Sequence, residues 1–322
     1  MRFPPTPEGI RQASDALRAG ELVAFPTETV YGLGARADSS EAVRAIYTAK
    51  SRPAENPSIV HAADMEAAFA LASTVSPDAR ALAERFWPGP LTLVLDAQDG
   101  KVAPEVTAGG ATVAVRVPAH ELAQALLRSV GLPLAAPSAN RSTGISPTTA
   151  EHVEKSLGKD IRILDGGPTG FGIESTIVDA TVSPLVVLRR GSVTLAEIAE
   201  IASVVDRGDD LSIVGTAARA PGSQARHYAP TVPLSVVELV SLEADAEAGL
   251  IHSEAAPIGT LEFARTMALP EDPAGFARCL YAALHALEDS GVKRIVVVAV
   301  PDAPEWAAVR DRLERASRLG PS

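Results

Sequence analysis

One cysteine, Cys279, is the only thiol in this chain of 322 residues. A single cysteine excludes an internal disulfide and a zinc site made of clustered cysteines, and it fits a reducing compartment. Metal-site spacing is also missing among the histidines, since none are arranged as H-x-x-x-H or H-E-x-x-H. We therefore expect no metal ion that is held by the protein's own side chains.

Long apolar runs and an excess of basic residues are missing too. No stretch approaches the roughly 18 consecutive apolar residues of a membrane-spanning helix, and the N-terminus lacks the pattern of a secretion signal. The formal net charge is −11, whereas a nucleic-acid binder is typically basic. We expect a cytoplasmic protein with no membrane contact and no stable nucleic-acid binding.

The familiar nucleotide-binding motifs are absent. The sequence has no G-x-x-x-x-G-K-[ST] loop, and its Gly-Phe-Gly at 170–172 lacks the third glycine and the strand-then-helix setting of a dinucleotide fingerprint. Any nucleotide must therefore be held in another way.

Length and patterning predict two domains. The chain is longer than one ordinary core, and 46% hydrophobic with 21% charged residues is normal globular usage. Residues 1–205 alternate between helical and strand patterns, which is typical of an α/β domain built around one sheet. Residues 206–233 are rich in glycine, proline and small polar residues and predict a linker. Residues 234–322 predict a smaller α/β domain.

Seven segments of the first domain predict strands, because they are apolar or β-branched and lie between proline, glycine or polar clusters. They are Glu21–Phe25, Ser58–Ala62, Leu91–Asp96, Ala111–Val117, Leu132–Ala136, Glu174–Ala180 and Leu185–Arg189. In the second domain we predict strands over Leu234–Leu239, Pro257–Phe263 and Lys293–Val300, and helices over Pro273–Glu288 and Pro304–Arg318.

Capping residues mark three helices of the first domain. Glu41–Lys50 predicts a helix, with candidate caps just before it and apolar residues on one face. Ser146 ahead of Pro147 predicts a second helix start. Thr194 predicts a third, because it can form a capping box with Glu197.

Two cations stand at the end of the first of these helices, in the segment Lys50-Ser51-Arg52-Pro53. Proline forces the chain out of the helix, so both cations project toward whatever the loop faces. They could bind phosphate, or they could complement the helix end as solvated charges. Asn56 and His61 follow at the two ends of a short strand, where His61 could equally be structural.

The predicted strand Ala111–Val117 contains an arginine in mostly apolar surroundings. Its alternation sends Thr112, Ala114 and Arg116 to one face. A buried arginine needs an anion, which could be a structural Asp or Glu or a bound carboxylate held by two hydrogen bonds. A substrate amino acid would supply such a carboxylate.

Polar residues lie where other predicted strands end. The segment PTETVYGLG at 26–34 brings Thr29 and glycines to a strand end, which is an ordinary turn or part of a ligand crevice. Ser138 and Asn140 follow another strand, where small polar side chains and exposed amides can hold a phosphate. Ser146 can bind a ligand or cap a helix, and Ser175 and Arg189 are equally ambiguous in isolation.

Taken together and in order, five motifs resemble the YrdC-like superfamily. They are PTETVYGLG at 26–34, KSRP at 50–53, NPSIVH at 56–61, PSAN at 137–140 and ESTIVD at 174–179. The further APG…RHYAP at 220–230, followed by a small α/β domain, resembles the long, two-domain form of threonylcarbamoyl-AMP synthase. The resemblance implies a twisted open sheet that forms a cavity, a linker that folds over its mouth, and a smaller Rossmann-like α/β domain.

The resemblance also implies residue roles. Residues that look like an L-threonine site are Thr29, His61, Arg116, Ala136 and Ser175. Residues that look like an ATP site are Lys50, Arg52, Asn56, Thr112, Ser138, Asn140, Ser146, Arg189 and Tyr228, with Lys50 and Arg52 as the catalytic pair. Two positions depart from the usual pattern, namely Ser58, where leucine is usual, and Ser223-Gln224, where Met-Lys is common.

The reaction that the resemblance implies joins L-threonine, bicarbonate and ATP into threonylcarbamoyl-AMP and pyrophosphate, with Mg²⁺ arriving with ATP. The product would pass to a tRNA threonylcarbamoyl-transferase complex for the threonylcarbamoyl-adenosine modification of tRNA at position 37. The alternatives are a nucleotide sensor or RNA-binding protein without turnover, and a carbamoyl-transfer enzyme of the same fold. The negative net charge argues against RNA binding, and a single cysteine excludes the zinc fingers that are expected of the carbamoyl-transfer enzyme.

Overall fold

The computed structural model describes residues 1–207 and 227–318. Over these ranges the chain forms two sheets with flanking helices, an eleven-stranded sheet in the first domain and a four-stranded sheet in the second. This arrangement confirms the predicted α/β fold class. Part of the predicted linker, residues 208–226, lies outside the described residues and includes Ser223-Gln224. No described helix is long and apolar enough to cross a bilayer.

The large sheet contains every strand predicted for the first domain. In chain order its strands are β1 (Arg2–Phe3), β2 (Val23–Phe25), β3 (Gly32–Arg36), β4 (Ile59–His61), β5 (Leu91–Asp96), β6 (Thr112–Arg116), β7 (Leu134–Ala135), β8 (Arg162–Leu164), β9 (Thr176–Asp179), β10 (Leu185–Arg189) and β11 (Val204–Asp206). Sequence reasoning did not predict β1, β3, β8 and β11. Strands β1, β8 and β11 are two or three residues long, and β3 begins with the glycine-rich Gly-Leu-Gly that resembles a turn.

The order of the strands brings distant motifs together. Across the sheet they run β1-β8-β2-β3-β7-β4-β6-β5-β9-β10-β11. Strands β4 and β6 are parallel and place His61 opposite Arg116. Strand β7 runs antiparallel between β3 and β4, so the residues that follow it lie beside Gly32. The carboxyl ends of β4 and β6 and the start of β9 thereby surround one space.

Seven helices accompany this sheet in the described residues. They are α1 (Pro7–Arg18), α2 (Ser40–Lys50), α3 (Met65–Phe69), α4 (Pro77–Phe86), α5 (Glu121–Val130), α6 (Ala150–Leu157) and α7 (Leu195–Ala199). The helix predicted over Glu41–Lys50 is confirmed as α2, and Ser39 caps it by accepting a hydrogen bond from the Ala42 amide. The capping box of Thr194 with Glu197 is also confirmed.

The helix start predicted at Ser146-Pro147 is wrong. Helix α6 begins at Ala150, and its cap is Thr149, whose hydroxyl accepts from the His152 amide. The carbonyl of Pro147 instead accepts a hydrogen bond from the Tyr31 amide at 2.9 Å. This stretch is therefore tied to the segment before β3, and the Ser146 side chain turns to another partner.

The second domain has a parallel sheet of β12 (Leu234–Val237), β13 (Asp245–Ser253), β14 (Phe263–Leu269) and β15 (Arg294–Val298), in the order β12-β15-β13-β14. Two helices, α8 (Pro273–Asp289) and α9 (Ala307–Ser317), contact it, and the 3₁₀ turn Pro304–Trp306 precedes α9. The strand predicted over Pro257–Phe263 is wrong, because Pro257 and the left-handed Gly259 lie in a turn and the strand begins only at Phe263. Strand β13 was missed, since its Asp, Glu, Ala and Gly residues are poor strand formers.

The two domains share one hydrophobic cluster. Val30, Ile145 and Ile173 of the first domain pack in it with Phe276 and Tyr281 of α8. The rings of His152 on α6 and His285 on α8 stack across the same boundary, with centroids 3.9 Å apart. The second domain is therefore packed tightly against the first.

The two domains approach each other closely at Gly172. Its φ is +77°, and a Cβ atom added there would lie 2.5 Å from the Arg278 carbonyl oxygen of α8. Gly170, two residues earlier, would place its Cβ no nearer than 3.9 Å to the Glu28 carbonyl. Of these two glycines, Gly172 therefore depends on the absence of a side chain and Gly170 does not.

We predict that Gly172→Ala lowers the free energy of unfolding by about 1–3 kcal/mol, because the methyl group overpacks the domain boundary and φ is unfavourable. Urea unfolding followed by circular dichroism measures the loss. Gly170→Ala is the matched control and should change stability by less than about 0.5 kcal/mol. Equal stability of the two variants would contradict the close approach.

A second prediction concerns pH. Burial, reinforced by His152, lowers the pKa of His285 to about 3. Between an ordinary histidine pKa near 6.5 and this value, the unfolded chain binds a proton that the folded chain does not, so acidification lowers stability by about 1.4 kcal/mol per pH unit. In His285→Gln, the slope of unfolding free energy against pH between about 5.5 and 4 should be shallower by that amount. Parallel slopes in the two proteins would show that His285 is not held neutral.

Candidate active site

A cavity lies where β3, β4, β6, β7 and β9 of the first domain converge, and His227 and Tyr228 also line it. Most of the predicted site residues line it, namely Thr29, Arg52, His61, Arg116, Ala136, Ser138, Ser175, Arg189 and Tyr228. All five residues of the predicted threonine site are in this set.

Arg116 is fixed at one side of the cavity by three groups. Its Nη2 donates to Glu28 Oε1 at 2.6 Å, its Nη1 to Thr29 Oγ1 at 3.0 Å, and its Nε to the Gly89 carbonyl at 3.1 Å. Of the two anions left open by the sequence, a structural carboxylate is therefore present. A guanidinium carries further N–H groups, so Arg116 can still face a second anion in the cavity that it lines.

His61 is held as a neutral ring beside Arg116. Burial, with a smaller effect of the Arg116 charge, lowers its pKa to about 3. The ring packs edge-on against Phe25, with centroids 6.1 Å apart. No group in the described ranges hydrogen-bonds its Nδ1. His61 therefore presents an uncharged imidazole to the cavity at neutral pH.

Two further guanidinium groups line the other side. Arg52 Nη2 donates to the Pro57 carbonyl at 2.9 Å, which orients the side chain after α2. Arg189, at the end of β10, donates to the carbonyl and the hydroxyl of Ser175 at 3.0 and 3.1 Å. Both side chains are buried. With Arg116 they give the cavity the positive charge that an anionic ligand requires.

Lys50 lies behind the cavity wall. Its Nζ donates to the carbonyls of Ser138 and Asn140, and it is 1% exposed. The KSRP and PSAN motifs are thus bonded to each other, and Ser138 is held at the cavity edge by this contact. Burial, reinforced by the Arg52 charge, keeps the Lys50 pKa well below its usual range.

Four other predicted ATP residues do not line the cavity, namely Asn56, Thr112, Asn140 and Ser146. The Asn56 carbonyl accepts from the Tyr47 hydroxyl at 2.8 Å, and Asn140 Nδ2 donates to the Gly144 carbonyl at 2.8 Å. Thr112 shares a strand face with Arg116 but starts β6, so it lies roughly 13 Å along the strand. Their ligand roles stay predictions, as do those of the residues that line the cavity.

Sequence reasoning missed several lining or supporting residues. Thr27 bonds the Thr29 hydroxyl at 2.8 Å, Glu28 pairs with Arg116, and Glu174 and His227 line the cavity. Three of them stand inside motifs already quoted, PTETVYGLG and ESTIVD, and His227 precedes Tyr228 in RHYAP. Acidic and hydroxyl side chains within these motifs could have indicated them, but no rule of spacing predicts what they bind.

Glu174 is the one carboxylate that lines the cavity in the described part of the chain. Burial acts to raise its pKa, but the charges of Arg312 and Arg189 and hydrogen bonds from Ser146 and Arg312 outweigh burial and lower the pKa to about 2. Glu174 is therefore ionised at neutral pH. It accepts from Ser146 Oγ on one oxygen and from Tyr281 Oη on the other, the latter at 3.0 Å.

Family models match nearly the whole chain. Residues 15–191 match the Sua5/YciO/YrdC family model, which is described as Telomere recombination. Residues 193–318 match the model described as the threonylcarbamoyl-AMP synthase C-terminal domain. The two matches follow one another along the chain, and the second also includes the segment predicted as a linker.

Known proteins show the same relationship. Threonylcarbamoyl-AMP synthase of Bacillus subtilis is 40% identical over 96% of this chain and 92% of its own length. The crystal structure of P. abyssi Sua5 complexed with L-threonine superposes with a TM-score of 0.88 at 38% identity, covering 98% of this chain and 97% of that one. A putative threonylcarbamoyl-AMP synthase of Mycobacterium tuberculosis matches only 61% of this chain, over 90% of its own length, at 40% identity.

The match therefore extends over both domains in the first two of these relatives. The cavity geometry and the full-length similarity agree. This chain belongs to the threonylcarbamoyl-AMP synthase family, in its long, two-domain form.

Proposed function

We infer that this chain is an L-threonylcarbamoyladenylate synthase, which converts L-threonine, bicarbonate and ATP into threonylcarbamoyl-AMP and pyrophosphate. The observation that carries this inference is the distribution of charge in one cavity. Arg116 stands beside hydroxyls and a neutral imidazole on one side, and Arg52 and Arg189 stand on the other. This distribution suits two different anions, an amino-acid carboxylate and a polyphosphate.

Arg116 indicates where the carboxylate of threonine would bind. Its guanidinium would bind the substrate carboxylate, while Glu28 and Thr29 keep it in place. The neutral ring of His61 would accept a hydrogen bond from the substrate amine or hydroxyl without adding a positive charge. Ala136 leaves room for a small side chain.

The chemistry would then proceed at the phosphate end. The threonine amine takes up bicarbonate-derived CO₂ to form a carbamate, and water is lost from bicarbonate in that step. A carbamate oxygen attacks the α-phosphorus of ATP, the new O–P bond forms, and the bond to pyrophosphate breaks. Arg52 and Arg189 would stabilise the charge on the phosphate oxygens, and the Lys50 contacts would position the PSAN loop.

A Mg²⁺ ion that accompanies ATP would lower the charge on the phosphate oxygens. Both oxygens of Glu174 already accept hydrogen bonds, from Ser146 and Tyr281 among others. Because Mg²⁺ in nucleotide sites commonly keeps water and phosphate ligands, the residues present fit an ion that is held mainly by the substrate. His227 and Tyr228, which line the cavity, would exclude water from the mixed anhydride.

The product would be consumed by a tRNA threonylcarbamoyl-transferase complex, which we propose as the partner, and we propose the cytoplasm as the location. A mixed anhydride hydrolyses in water, so an enzyme that transfers its acyl group must use it promptly. The reaction supplies the threonylcarbamoyl-adenosine modification at tRNA position 37.

The direct test is pyrophosphate release by the purified chain with ATP, Mg²⁺ and bicarbonate, after contaminating pyrophosphatase has been removed. We expect release only when L-threonine and bicarbonate are both present, together with an adduct of the mass of threonylcarbamoyl-AMP. Glycine, which lacks the side-chain hydroxyl, is the control substrate. ATP binding without turnover would favour the nucleotide sensor instead, and release that ignores threonine would reject the synthase.

The phosphate role of Arg52 gives a further prediction. In Arg52→Gln we expect kcat/KM for ATP to fall about 10- to 100-fold, because a charge-assisted hydrogen bond is worth about 1.5–3 kcal/mol. Arg44→Gln is the matched control, since Arg44 lies on the exposed face of α2 and pairs with Glu105. Unchanged steady-state kinetics in Arg52→Gln would remove Arg52 from the phosphate site.

A further inference from the structure

Arg312 is a charged side chain of the second domain that is buried against the first. It lies on α9 and is 1% exposed. Its Nε donates to Glu174 Oε2 at 2.9 Å, its Nη2 to the Arg190 carbonyl at 2.9 Å, and its Nη1 to Asp311 Oδ2 at 2.5 Å. Two of its three hydrogen bonds therefore cross the domain boundary, beside the cavity that the first domain forms.

The residue that Arg312 holds is the cavity-lining carboxylate. Glu174 Oε1 is engaged within the first domain by Ser146, whereas Oε2 is engaged by Arg312 and by Tyr281 of α8. Two of these three hydrogen bonds, and all those to Oε2, thus come from the second domain. A buried carboxylate without these donors would rotate toward the other cations of the cavity, Arg52 and Arg189, because an unpaired buried charge is costly.

The Arg312 guanidinium also contacts an aromatic ring. It lies 4.9 Å from the ring centroid of Tyr228, which lines the cavity, and the Tyr228 and Tyr281 rings are 6.0 Å apart. A cation over an aromatic ring is attracted to it electrostatically. Arg312 therefore contacts two cavity-lining residues from behind the wall and is not part of the lining.

We propose that Arg312 is a positioning residue for the ATP half of the site, and that it acts by holding the Glu174 carboxylate away from the incoming phosphates. This proposal rests on the proposed function. It assigns the second domain, through α9, a task within the active site.

The experiment is a double-mutant cycle on ATP affinity. Arg312→Met removes the charge and keeps the side-chain length, and we expect the Kd and KM for ATP to rise about ten-fold or more, the loss of about one charge-assisted hydrogen bond. The KM for threonine should stay unchanged. In a Glu174→Gln background, the same Arg312→Met change should alter ATP affinity less than about three-fold, because the charge that Arg312 restrains is gone.

Controls separate positioning from folding. Arg310 lies on the same helix, and Arg310→Met loses contacts within its own domain, namely hydrogen bonds to the Pro301 and Ala303 carbonyls and an ion pair with Asp302, so ATP affinity should not change. If Arg312→Met fails to fold, Arg312→Gln, which also removes the charge, takes its place in the cycle. A merely structural Arg312 would lower the melting temperature and leave the ATP Kd of the folded protein as in the wild type, which would overturn the proposal. The same Arg312 effect in both backgrounds would also overturn it.

Different results would reject the synthase function and the positioning role of Arg312. Calorimetry measures the Kd for ATP without turnover. The double-mutant cycle can therefore be completed even if the protein releases no pyrophosphate. Wild-type protein with threonine-dependent release and no Arg312 effect would reject the positioning role alone. Wild-type protein without release would reject the synthase, whatever the cycle shows.

Discussion

The constraint on which the rest of the structure depends is the burial of several positive charges around one cavity. Arg52, Arg116 and Arg189 line it, and Lys50 and Arg312 lie just behind its wall. Burying isolated charges costs several kcal/mol each, so every one of these side chains must be hydrogen-bonded and partly neutralised before any ligand arrives. The protein meets this cost with backbone carbonyls, the hydroxyls of Thr29 and Ser175, and the carboxylates of Glu28, Glu174 and Asp311.

The choice of partners decides which cations remain available to a ligand. Carbonyl oxygens orient Arg52 and Lys50 without cancelling their charge. Glu28 and Glu174 do cancel charge, and each is placed at one edge, against Arg116 and Arg312 respectively. Among the described residues, the cavity lining holds three guanidinium groups and one carboxylate. A polyphosphate would add negative charge to this lining.

The sequence predicted most of the strands of the first domain but fewer of the contacts between side chains around the cavity. The bounds of two strands, Leu91–Asp96 and Leu185–Arg189, were predicted to the residue. Such strands are buried on both faces and therefore consist mainly of apolar and β-branched residues. Strand β3 and strand β13 were missed, since glycine and acidic residues there are tolerated only by tertiary packing. Five of the predicted cavity residues lie within the five motifs, namely Thr29, Arg52, His61, Ser138 and Ser175. Arg312 was not found, because its partner Glu174 lies 138 residues away and no local pattern marks it.

The Glu174–Arg312 pair also bears on why the second domain is present. Stability alone does not explain it, because a buried ion pair can often be replaced by apolar residues of similar size with no loss, whereas removal of one partner is strongly destabilising. The boundary already has an apolar cluster that could have been extended through this position. A charge pair was placed instead where one carboxylate oxygen faces the catalytic domain's own Ser146 and the other faces α8 and α9. That arrangement makes the orientation of a cavity carboxylate depend on the docking of the second domain, which an apolar boundary would not do.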